Sequence, residues 1–122
     1  MQFDAVEEAS NRQVGGVYQT LQAPTAQEQA LLSRFDSGGS IPFLDIANRY
    51  VVTGASYSPQ ALQGLSRIQI ANQLNDPKSP VAQAIDGSAN EITAAISLVT
   101  RNQPASVGQS PTVMAIEKAL GG

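Results

Sequence analysis

The sequence predicts an α+β (or α/β) fold: a small sheet of about three strands covered by four helices, in a single domain over residues 1–122. Three observations lead there. Apolar and β-branched runs over 41–46 and 50–54 flank the polar turn Ala47-Asn48-Arg49, the pattern of a hairpin. Ser-Pro pairs at Ser58-Pro59, Ser79-Pro80 and Ser110-Pro111 open segments of helical periodicity. Ten Gly and seven Pro are more than a plain helical bundle tolerates, so several turns must separate the elements.

Taken in order, residues 2–7 read as a short strand with Phe3 and Ala5 on one face. The polar, Gly-interrupted text from Ala9 to Gln22 reads as a long loop. Thr25-Ala26-Gln27-Glu28 fits a capping box and starts a helix whose apolar side is Leu31, Leu32 and Phe35. Ser37-Gly38-Gly39 ends it. In the hairpin that follows, Asn48 is the residue best able to take a positive φ. Leu62, Leu65, Ile68 and Leu74 predict a helix over 59–75. Val81, Ala84, Ile85, Ala89, Ile92, Ala95, Ile96 and Val99 predict a regular helix over 80–101, and Val113, Ile116 and Leu120 another over 111–120.

Composition excludes several classes of function. With 42% hydrophobic residues the chain can build a core, and at this length it should bury roughly 65% of its unfolded surface. The net charge is −3 and the seven basic residues are scattered, so there is no basic stripe for nucleic acid. No apolar run approaches a membrane span, and Met1 is not followed by a signal segment. The chain is therefore expected to be soluble as given, cytoplasmic if full-length and extracytoplasmic if cut from an anchored protein. There is no Cys and no His, which removes disulfides, thiolate nucleophiles and the side chain that most readily titrates near neutrality.

The remaining polar residues point to no catalyst. Asp45 sits in an otherwise apolar strand, where it reads either as a buried, perturbed acid or as a carboxylate that faces solvent or caps a turn, the second being the commoner case. Glu7-Glu8, Asp86 and Glu91 read as solvated carboxylates, and Ser56, Ser58 and Ser106 have no His to activate them. No spacing supports a Ser-Lys pair with Lys78 or Lys118. Gly15-Gly16 does not sit in a phosphate-binding pattern. No cofactor and no metal site are expected.

The strings SIPFLDIANRYVVTGASYSP, SPVAQAIDG and NQPASV carry a family likeness. Together they resemble a prokaryotic thioredoxin-like family of unknown function, over most of the chain from about Phe3 to Val107. The resemblance implies a truncated thioredoxin-like core over 1–75 and a helical extension over 76–122. It implies that Ser40, Ile41 and Pro42 form the cis-proline corner of a groove, with Ile41-Pro42 cis. The family's Cys-x-x-Cys half is absent, and the likeness places this chain after it. The resemblance further implies that Ser97 and Gly108 occupy positions where relatives carry Cys. Two functions follow as expectations. One is a non-catalytic binding or assembly module with a protein or peptide partner. The alternative is a fragment or degenerate relative of a thiol-disulfide oxidoreductase whose Cys-x-x-Cys lies upstream. A truncated sheet would leave an edge uncovered, so a homodimer or swapped oligomer is expected.

Overall fold

The computed structural model describes residues 2–121 and is mixed α+β. It divides into two compact units, one ending at Ser40 and one beginning at Ile41. Among the described residues there are four strands, in two separate two-stranded antiparallel ladders rather than one sheet of three.

In the first unit the strand lies later than the alternation over 2–7 suggested. Strands β1 (Ala9–Val14) and β2 (Val17–Thr20) pair across Gly15-Gly16, in the region read as a loop. Both glycines have positive φ, +62° and +83°, as a two-residue primed turn requires. That turn chemistry outweighs the polar composition, and Val14 faces Val17 beside it. A hydrogen bond from the Leu21 amide to the Glu8 carbonyl extends the ladder, while residues 2–7 form no strand. Helix α1 (Ala26–Phe35) begins with the expected capping box. The Thr25 hydroxyl accepts from the Glu28 amide, and the Glu28 carboxylate accepts from the Thr25 amide at 2.6 Å.

In the second unit, β3 (Phe43–Ile46) pairs with β4 (Tyr50–Thr53), Ile46 opposite Tyr50. Ala47 and Asn48 both take positive φ in the turn. The Asp45 carboxylate accepts from the Asn48 amide at 3.1 Å, so Asp45 caps the turn. The segment read as one helix over 59–75 is broken. A 3-10 turn spans Pro59–Leu62, Gly64 takes φ +76°, and α2 (Arg67–Leu74) starts afresh on a Ser66/Gln69 capping box. A positive φ cannot continue a right-handed helix, and Ser66 supplies a new start two residues on.

Helix α3 (Pro80–Thr100) is the spine of this unit. Ser79 is buried at its start, accepting from the Ala82 amide and donating to the Gln73 carbonyl at the end of α2. One hydroxyl thus satisfies the end of one helix and the beginning of the next. Arg101 and Asn102, both with positive φ, turn the chain out of α3, and the Asn102 amide donates to the Ser97 carbonyl at 2.7 Å. The short α4 (Ala105–Gly108), not foreseen in the sequence, leads to α5 (Pro111–Ala119), capped by Ser110 and packed along α3. The core is built from small side chains: Val81, Ala82, Ala94 and Ala95 of α3, Val113 of α5 and Ile46 of β3. Aromatic side chains contribute nothing fully buried.

Candidate functional site

Small core residues have a consequence for surface shape. On α3, Ser88, Glu91, Ile92 and Ala95 follow the i, i+3, i+4, i+7 spacing and share one face. On α5, Thr112, Ala115, Ile116 and Ala119 repeat that spacing. Each stripe holds one Ile among smaller side chains. The two stripes, with the β3–β4 hairpin as third wall, enclose an open cleft of about 730 Å³. That is within the range of roughly 300–1,000 Å³ usual for small-molecule sites.

The cleft walls are mainly aliphatic. Ile46, Val51 and Val52 line it from the hairpin, and Leu120 lines it just beyond α5. Ser88 is already engaged: its hydroxyl lies 2.8 Å from the Ser56 carbonyl and 3.0 Å from that of Ala84. The first of these bonds ties the loop after β4 to α3. Tyr50 differs, because its hydroxyl oxygen is buried and has no hydrogen-bond partner. The Arg49 guanidinium lies 5.5 Å from the Tyr50 ring centre, so a cation stands at the same wall. Glu91, exposed on α3, is the acidic group lining the cleft.

The residues singled out in the sequence are scattered. Ile41-Pro42 is cis, Ile41 is 85% exposed, and Ser40 is exposed at the end of the first unit. Ser97 and Gly108 do come together. A Cβ built on Gly108 would stand 3.3 Å from Ser97 Oγ and 3.3 Å from Glu117 Oε1, and would overlap Asn102 Oδ1. Glu117 Oε1 is itself buried without a partner. Glu7, Glu8 and Asp86 are exposed, as are Ser56, Ser58, Ser106, Lys78 and Lys118. Among the described residues no group of three or more Asp or Glu could hold a metal ion, and no helix is long and apolar enough to cross a membrane. Sequence reasoning missed Arg49 and Tyr50 as site residues. Their only local signal was the position of an aromatic strand residue directly after a cation in the turn.

Fold and site together define a small α+β protein with a largely aliphatic cleft. The chain belongs to the family described as a domain of unknown function, DUF929, whose profile matches residues 10–98. That span runs from β1 through most of α3. No match to a curated protein or to a solved structure accompanies it.

Proposed function

We propose that this chain is a non-catalytic binding module whose working surface is the α3–α5–hairpin cleft. The observation that carries this reading is the cleft itself: a largely aliphatic concavity of about 730 Å³ in a chain that has neither thiolate nor imidazole. Thiol exchange needs a thiolate, and this chain has none to offer. A thioredoxin-like ancestry is proposed on the sequence strings around Ile41–Pro59, and the closeness of Ser97 to Gly108 supports it. Self-association is the assembly half of the proposal. It is supported by the free edges of the β1–β2 ladder, since an isolated two-stranded hairpin is marginal in water.

The test is to titrate the full chain with the apolar dye 1-anilinonaphthalene-8-sulfonate. We expect saturable, one-to-one fluorescence enhancement that Ala115→Trp abolishes, because the indole fills the cleft from α5. Far-UV circular dichroism and urea unfolding confirm that the variant is folded. Unsaturable enhancement, or enhancement untouched by Ala115→Trp, overturns the cleft as the binding surface.

A further inference from the structure

Resting on the self-association half of that reading, the β1–β2 hairpin points to one surface and one partner. We propose that the outer edge of β2 pairs antiparallel with the same edge of a second copy of this chain. The two-fold axis passes through Gln19, so two hairpins join as one four-stranded sheet in the order β1–β2–β2–β1.

The phase of the ladder decides which backbone groups face outward. Val14 and Val17 flank the two-residue turn as a bonded pair, and at the other end the Leu21 amide donates to the Glu8 carbonyl. Along an antiparallel strand, residues bonded to the neighbour alternate with residues whose N–H and C=O point away from it. Val17, Gln19 and Leu21 are therefore bonded toward β1, while Tyr18 and Thr20 present their N–H and C=O groups at the free edge. Both residues are exposed, and among the described residues no backbone bond outside the ladder reaches those groups.

The two edges of this hairpin are unlike. On β1 the ladder is irregular between Ala9 and Gln13, and Arg12 adds a charge. The Ser10 hydroxyl also occupies both backbone groups of Arg12, accepting from its amide at 3.2 Å and donating to its carbonyl at 2.9 Å. Bulges and edge charges are devices that block strand addition. β2, Val-Tyr-Gln-Thr, has neither charge nor proline, and the extra residues of the irregularity lie on β1.

A second copy is the strand that fits this edge. With the axis at Gln19, Tyr18 of one copy lies opposite Thr20 of the other, and the two such pairs each exchange both backbone bonds. Val17 then lies opposite Leu21 of the second copy on the other face. Val17, Tyr18 and Leu21 are exposed apolar side chains in the single chain, and this register gives each a cross-strand neighbour. Residues 16–22 hold no charged side chain, so self-pairing sets no like charges opposite one another. Strands of four residues make a small contact beside the roughly 1,200–2,000 Å² of stable complexes, so the dimer is reversible and dilution separates it.

The experiment is sedimentation velocity on the full chain across a dilution series, repeated on three variants. We expect a monomer–dimer equilibrium for the wild type. Gln19→Lys and Gln19→Glu set like charges face to face on the axis, so each alone should weaken the dimer by up to about fivefold, the equivalent of about 1 kcal/mol. An equimolar mixture of the two should associate more tightly than either alone. Thr20→Pro removes an outward N–H without touching the bonds to β1, and should weaken the dimer at least tenfold. Circular dichroism confirms that each variant is folded. A dimer untouched by the Gln19 charges, or by a folded Thr20→Pro, overturns the pairing of this edge and leaves self-association standing. Weakening by both Gln19 variants with no gain on mixing overturns the two-fold register, and the proposal with it. A wild type that stays monomeric at every concentration removes the self-association reading on which the inference rests.

Discussion

Replacing Tyr50 by Phe removes one atom, and that atom is a buried hydroxyl oxygen with no hydrogen-bond partner. In the free protein, leaving such a group unpaired costs about 1–3 kcal/mol relative to its hydration in the unfolded chain. The ring stays, and with it the packing on the hairpin wall and the Arg49 contact at 5.5 Å. What is lost is a handful of dispersion contacts at about 0.1–0.2 kcal/mol each. The balance favours the variant by about 1 kcal/mol, which raises Tm by roughly 4–8 °C in a unit of this size. Urea unfolding with an unchanged m-value is the assay. A Tyr50→Phe protein less stable than wild type would refute the reasoning, since the hydroxyl would then have been satisfied all along.

Other residues give independent checks. Ala47 holds φ +56°, a conformation that costs an L-residue about 1–2 kcal/mol, so Ala47→Gly should stabilise the second unit by about 0.5–1 kcal/mol in urea unfolding after the entropy of glycine is charged. The Thr25 amide, and then its hydroxyl, donate to the Glu28 carboxylate and hold its pKa below the usual value. A depressed folded-state pKa contributes stability above the unfolded carboxyl pKa of about 4.3 and loses it as pH falls through the lower folded value. Amide protection over Ala26–Phe35, taken relative to the intrinsic exchange rate at each pH, should therefore fall only in acid, and Glu28→Gln should flatten that dependence. Gly108→Ala should destabilise by about 1–3 kcal/mol, because its Cβ would meet Asn102, Ser97 and Glu117; thermal unfolding reads this directly. The Ser97→Cys/Gly108→Cys pair should instead lose both free thiols on mild oxidation and gain about 3 kcal/mol over its reduced form, as loop closure predicts.

Local rules were legible where one or two residues decide the outcome. The three Ser-Pro starts each became a capped helical segment, and Thr25 with Glu28 formed its capping box. Asn48 took the positive φ assigned to it. The misses have the same local character. Gly15-Gly16 carried a hairpin signal that polar flanks obscured, and Gly64 followed by Ser66 carried a break-and-restart signal inside an apparently continuous apolar period. The cleft is a different matter. It needs Ser88–Ala95 and Thr112–Ala119 to face one another, and nothing within either stripe fixes that pairing. The Tyr50 hydroxyl likewise becomes an orphan only once packing has removed water from it.

The family match and the cleft overlap unevenly, and the division follows the chain. Arg49, Tyr50 and Glu91 all lie within residues 10–98, and so does the α3 stripe. The α5 stripe, with Ala115, Ile116, Ala119 and then Leu120, lies beyond the matched span. Two walls of the cleft therefore belong to the matched span and the third to the segment that follows it, joined through the turn at Arg101-Asn102 and through α4. Enlarging an α5 side chain should fill the cleft and leave the hairpin and the start of α3 as they are, because those sites share no partner with it. The cleft keeps its shape only while α3 and α5 stay packed. Ser97, buried on α3 against Gly108 of α4, is at the contact that keeps them so.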